Sequence, residues 1–194
     1  MLKILLTLFI FLTASVFAEN ITIDFAKTSL TQWHQYGVWG IDQEKKTNIL
    51  SLHQQSKGSF NLCYTQKVHF LNGSISVDFR ANSGRIDQGG GLMWRVQDND
   101  NYYVARFNPL EDNFRFYIVK DGRRSEIASA DIKLSSGWHT MRIEQKSNTF
   151  IGYLDGKKYL EAKDNKLTKV GGVGVWTKAD ALSSFNHLHI ITEK

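Results

Sequence analysis

The sequence predicts an all-β protein, a two-sheet antiparallel β-sandwich of jelly-roll type. Three observations carry this. Apolar residues recur with period two in short runs rich in β-branched and aromatic side chains, Asn-Gly and Asp-Gly dipeptides punctuate those runs, and no stretch shows a convincing helical apolar period.

The chain begins with Lys3, an apolar run from Ile4 to about Leu12, and the segment Thr13-Ala14-Ser15-Val16-Phe17-Ala18, which puts small residues at the −3 and −1 positions of a cleavage after Ala18. That is the layout of a secretory signal peptide over residues 1–18. The apolar run is short of the roughly 20 residues a spanning helix needs, so no membrane span is expected. No cysteine near the cleavage point offers a lipid anchor. The expected location is periplasmic or secreted. Residues 19–194 suit one domain, because the chain carries one proline, Pro109, and no Gly/Ser tract, charge block or fixed-period repeat that would mark a linker. Cys63 is alone, so no internal disulfide forms and the core must supply the stability. The formal charge of +5 falls by one when Lys3 is removed, and its basic residues are scattered, which argues against nucleic acid as a partner.

Strands are expected, in order, at 21–25, 47–53, 59–64, 73–80, 91–97, 101–108, 113–120, 138–145, 150–154, 173–177 and 185–191. Asn72-Gly73, Asp121-Gly122 and Asp155-Gly156 read as hairpin turns, since both central residues of a type I′ turn need positive φ. With Asn99-Asp100 as a two-residue turn, Val96 faces Tyr103, Trp94 faces Ala105 and Leu92 faces Phe107 on one apolar face. The other face then holds Met93, Arg95, Tyr102, Val104, Arg106 and Asn108. Across the Asp121-Gly122 turn, Phe116 meets Ile127 in the core, and Tyr117 meets Glu126 beside Arg115 on the outer face. Arginine forks and tyrosine rings together suit the hydroxyls and C–H faces of sugars, or an anionic group on them. Arg95, Tyr102, Arg106, Asn108, Arg115, Tyr117 and Trp176 are therefore the candidate ligand-binding residues, Trp176 because Val173 and Val175 claim the core and push it to the opposite face. The competing reading pairs the three arginines with Glu126, Asp78 and Glu111 or Asp112 as ties between strands, each worth only ~0 to 1 kcal/mol.

The order "WRVQDNDNYYVARF", a strand ending in "KDG", "GWHTMRIEQKSNTFIGYLDGKKYLEAKD" and "GGVGVWTKADALSSFNHLHI" resembles the concanavalin A-like lectin/glucanase superfamily, nearest to its exported laminin-G-like and 3-keto-disaccharide-hydrolase-type jelly rolls. The likeness spans roughly residues 59 to 192. It implies a ligand on the concave sheet, in a fold that also serves lectins, glycosidases and interaction domains. The family often ends in a phenylalanine followed by two aspartates; this chain has Phe185-Asn186-His187, which weakens any expectation of calcium there.

Hydrolysis of a glycoside calls for two carboxyls ~5 Å apart, or ~6.5 to 9.5 Å, with one kept protonated. No strand places acids in such an array; Asp78, Glu126, Glu111 and Asp112 are the weak catalytic candidates, with Asp78 and Glu126 expected near the arginine face and Glu111-Asp112 at a connection. Arginines nearby would lower their pKa and favour a fixed anion over an acid. His187 and His189 stand two apart but lack a third ligand of suitable spacing, so neither metal nor other cofactor is expected. Gly89-Gly90-Gly91 precedes a strand and points to a close backbone approach rather than a phosphate loop. Trp33, Trp39 and Trp138 are expected to pack at sheet edges or in the core. The leading expectation is an exported glycan-binding jelly roll, the alternatives being a carbohydrate-active hydrolase and an envelope interaction domain without a sugar ligand.

Overall fold

The computed structural model describes residues 18–193, so the signal-peptide segment lies, but for Ala18, outside the described residues. Fifteen strands follow in order: β1 (Glu19–Ile23), β2 (His34–Tyr36), β3 (Val38–Glu44), β4 (Thr47–Gln54), β5 (Phe60–Phe70), β6 (Asn72–Ser83), β7 (Gly90–Asp98), β8 (Asn101–Asn108), β9 (Asn113–Lys120), β10 (Arg123–Asp131), β11 (His139–Lys146), β12 (Thr149–Leu154), β13 (Lys157–Lys163), β14 (Gly171–Lys178) and β15 (Leu182–Glu193). One 3₁₀ turn, Leu30–Gln32, is the sole helical element among the described residues, and no helix there is long and apolar enough to cross a membrane.

The strands form two antiparallel sheets, an eight-stranded one ordered β13-β12-β11-β6-β15-β4-β3 with β1 paired to β15, and a seven-stranded one ordered β10-β9-β8-β7-β14-β5-β2. The expected sandwich is the observed one. The period-two residues of both inner faces meet in one core that includes Trp94, Tyr103, Phe107, Phe114 and Phe116 from the seven-stranded sheet and Phe79, Ile143, Phe150 and Phe185 from the other. Its rings stack edge to face, Phe116 on Phe150 at 5.1 Å and Trp94 on Phe150 at 5.7 Å. Cys63 is wholly buried in it, and burial raises the pKa of its thiol. Trp39 joins the core and Trp33 packs against it, whereas Trp138 is 37% exposed, with the Arg80 guanidinium 4.7 Å over its ring.

Two of the three expected hairpin turns stand: Asp121 and Asp155, like the glycines after them, have positive φ, and they join β9 to β10 and β12 to β13. Asn72-Gly73 does not make a hairpin. It carries the chain from β5 in one sheet to β6 in the other, with Gly73 at φ 121° so close to β15 that a Cβ would lie 1.9 Å from the Ile191 carbonyl oxygen. The Asn99-Asp100 turn pairs Asp98 with Asn101 as expected, but the register then slips: Trp94 faces Tyr103 and Leu92 faces Ala105. The cause is a bulge at Arg95, whose φ is 47°. A smaller bulge sets Phe116 opposite Ala128 rather than Ile127, while Tyr117 faces Glu126 as expected.

Candidate functional site

The outer face of the seven-stranded sheet is built by the same alternation that fills the core. Where Cys63, Leu92, Tyr103, Ala105 and Phe116 point inward, their strand neighbours Leu62, Tyr64, Met93, Tyr102, Val104, Tyr117 and Trp176 form a second apolar cluster outside. Cross-strand pairing aligns Leu62, Trp176, Gly91, Arg106 and Arg115 in one row, and Tyr64, Gly174, Met93, Val104, Tyr117 and Glu126 in the next. Gly91 has no room for a side chain, because a Cβ would sit 1.7 Å from the Ala105 carbonyl oxygen. That close approach is the use the glycine run serves. The face is a trough. Phe60 and Tyr117 lie on strands four places apart, about 19 Å in a flat sheet, yet one guanidinium, that of Arg124, comes within 5.9 Å of the first ring centroid and 4.3 Å of the second.

A polar network fills the other half of the trough. Arg106, 1% exposed, sends Nη2 to Oδ2 of Asp87 and to Oε1 of Glu111, both at 3.1 Å, and Nη1 to the Tyr117 hydroxyl at 3.3 Å. Arg115 reaches the other Glu111 oxygen and Glu126, each at 3.3 Å, donates to Ser129 Oγ at 3.0 Å, and shares the Tyr117 hydroxyl. Asp87 is as buried as Arg106 and accepts further bonds from the Gly89 amide and Asn108. Its loop is held from a distance, since the Asp180 carboxylate accepts the backbone N–H groups of Arg85, Ile86 and Asp87 and is thereby lowered in pKa. Burial opposes ionisation of Glu111, but hydrogen bonds from Asn113 and Arg106 and the charges of Arg106 and Arg115 outweigh it and hold the pKa at about 2. Exposed Ile86 and Leu110 flank these two acids in the chain. A cavity of about 470 Å³, lined by Tyr36, Lys57, Phe60, Leu62 and Asp100 among others, adjoins the aromatic end.

Of the residues expected to form the site, Arg106, Asn108, Arg115, Tyr117, Glu111 and Glu126 come together. Tyr102 and Trp176 share the face but form its floor, both fully buried, with the indole N–H donating to the Tyr102 hydroxyl at 3.1 Å. Arg95 does not belong. Its bulge turns the side chain away, and the guanidinium donates to the carbonyls of Leu71, Leu167 and Ser147 at 2.7 to 2.9 Å, tying three loops. Asp78 lies on the eight-stranded sheet, where it accepts from Thr140 and pairs with His187, so it cannot meet Glu126. Asp112 sits in the β9 approach turn near Lys133, away from the arginines. His187 and His189 part company at a bulge, the first bonding Asp78 and the second Asn20, and the described residues hold no metal-ligating cluster. Three trough residues escaped the sequence reading. Arg124 was within reach, being two residues from Glu126 on the same strand face; Asp87 and Asn113 depend on contacts that no local pattern carries.

The sequence matches the family described as 3-keto-alpha-glucoside-1,2-lyase-like domain over residues 22–186. No curated protein matches. Among solved structures, the chain is similar to the carbohydrate-binding module CBM66 from Bacillus subtilis, with 19% identity, a TM-score of 0.68 and 81% of this chain and 93% of that one covered. It is similar also to the Bacillus licheniformis β-glucanase, with 14% identity, a TM-score of 0.59 and coverage of 94% and 100%. A prokaryotic β-1,3-1,4-glucanase (lichenase) derived from a mouse hindgut metagenome gives 12% identity, a TM-score of 0.62 and coverage of 88% and 98%. These likenesses establish the fold.

Proposed function

The chain belongs to the 3-keto-alpha-glucoside-1,2-lyase-like domain family, and from that premise we propose that it is an exported glycan-binding domain whose ligand lies in the trough of the seven-stranded sheet. The observation that carries this reading is the pairing of a preorganised, partly exposed polar network with the aromatic end at Tyr36 and Phe60, which line the adjoining cavity. Arg115, Glu111 and Glu126 are partly exposed, and buried Arg106 and Asp87 fix them from beneath. Donors and acceptors held in one geometry before a ligand arrives lose little entropy on binding it. Sugars need both kinds of group. Export rests on Lys3, the apolar run and the small residues before Glu19; the similar structures, a carbohydrate-binding module and two glucanases, agree with a glycan ligand.

Binding is preferred to hydrolysis because Glu111 is anchored as an anion: with its pKa at about 2, it has no proton to donate near neutral pH. A carbohydrate-active enzyme is the second reading. It is favoured by the family description and by Asp87 and Glu111 converging on one nitrogen of Arg106. A glycan array followed by calorimetry on the mature protein tests the first. Arg115→Ala should weaken a confirmed ligand about ten- to a hundredfold, and an unchanged affinity would remove the trough from consideration. Turnover of the bound oligosaccharide, or of a 3-keto disaccharide, would establish the second.

A further inference from the structure

The cations of the trough are not equivalent. Arg106 and Arg115 are each neutralised by two carboxylates. Lys178 approaches Asp87 at 3.9 Å. Arg124 has no such partner among the described residues, since Glu126, the acid two positions along its own strand face, is already taken by Arg115. Its guanidinium is boxed by rings instead, at 4.3 Å from Tyr117, 5.8 Å from Trp176 and 5.9 Å from Phe60. Its Nη1 is buried and makes no hydrogen bond. Aromatic faces attract a cation but accept its N–H groups poorly, so the charge has no anion and the buried Nη1 no acceptor. Native structures rarely leave such a group without a reason.

From this we infer that the trough takes an acidic glycan, and that Arg124 receives its carboxylate or sulfate. The inference rests on the glycan-binding reading and narrows it to a substrate class. A planar fork matches either anion with two parallel hydrogen bonds, whereas a hydroxyl would leave the charge unanswered. The three rings keep the fork in place without an internal carboxylate that an incoming anion would have to displace. Room for the rest of the sugar lies alongside, in the cavity of about 470 Å³ that shares Phe60 and carries both Lys57 and Asp100 on its wall, a volume within the roughly 300–1,000 Å³ usual for ligand sites.

The test is calorimetry of the mature chain with trigalacturonate, with the same trisaccharide methyl-esterified, and with a sulfated and an unsulfated galactan oligosaccharide, at low and high salt. At least one acid should bind ten times or more tighter than its neutral counterpart and weaken with salt, and the two pairs identify whether carboxylate or sulfate is preferred. Arg124→Gln should erase that preference, so that the acid binds no tighter than its neutral counterpart. Arg124→Lys, which keeps the charge but not the fork, should lose part of it and decides the matter should the glutamine variant fail to fold. Equal affinity for acids and their neutral counterparts would overturn the inference and leave glycan binding standing. A preference that survives in a folded Arg124→Gln protein, or in Arg124→Lys undiminished, would place the anion elsewhere and overturn it too. Binding of none of the four, with no other glycan captured on an array, would refute the glycan-binding reading itself.

Discussion

Replacing Arg106 with methionine should destabilise the protein by about 3 kcal/mol, because it strands a buried charge. Asp87 is 1% exposed and its main counter-ion is the Arg106 Nη2 at 3.1 Å. Removing one member of such a buried pair costs ~3 to 5 kcal/mol. The lower end applies here, since the Gly89 amide at 2.8 Å, Asn108 at 3.4 Å and Lys178 at 3.9 Å remain on the carboxylate. For a domain of this size that is roughly 6 to 12 °C in melting temperature. Asp87→Asn alone should also destabilise, by leaving the arginine half-paired with Glu111. The double variant should recover a large part of the combined loss, as the uncharged pair no longer carries an unanswered charge. Chemical denaturation of the four proteins gives the coupling directly. Independent, additive losses, or a single Arg106 variant that melts within about a degree of wild type, would refute the claim that Arg106 and Asp87 act as one buried unit. The same burial separates this residue from Arg115: a binding defect in an Arg106 variant cannot be read without its stability.

Three further expectations concern the core, the close approach and the acid limb. Phe116→Ala should cost ~3 to 5 kcal/mol through lost burial and a cavity among Trp94, Phe114 and Phe150, read as a lowered denaturant midpoint. Gly91→Ala should fail to give a cooperatively melting protein, because its Cβ would lie 1.7 Å from the Ala105 oxygen and β7 would have to part from β8; a normal melting curve would contradict this. Glu111, with its folded pKa near 2 against an ordinary 4.5, contributes stability that is fully present above pH 4.5 and is lost as the pH falls toward 2. At 42% exposure the contribution is screened to below about 1 kcal/mol, so melting temperatures of wild type and Glu111→Gln should converge across that window.

What the sequence disclosed was whatever obeyed a local rule. β8 runs its whole length without a bulge, so alternation alone put Tyr102, Val104, Arg106 and Asn108 on one face and Tyr103, Ala105 and Phe107 on the other. The same rule failed one strand earlier. A positive φ is rare outside glycine, asparagine and aspartate, and nothing near Arg95 announces one; what holds it there is a set of carbonyls from residues 71, 147 and 167. Asn72-Gly73 shows a related limit, since a dipeptide suited to positive φ states how the backbone bends and not which sheet it enters. Asp87 was hidden for a third reason. Its position depends on Asp180, which reaches back across the chain to gather three amides of its loop, and such a contact leaves no periodic trace.

Cys63 gives the molecule a built-in clock. Its sulfur has no surface exposure, and the raised thiol pKa keeps the unreactive form dominant. Its strand pairs on both edges, with β14 on one side and β2 on the other, so partial fraying of either neighbour does not by itself bare the sulfur. An alkylating reagent added to the native protein should therefore label it only during excursions that open the sandwich. Because no other cysteine exists to compete, the labelling rate of unmodified protein reports the frequency of those openings, and its slowing on addition of a sugar would measure ligand capture without any dye, tag or immobilised surface.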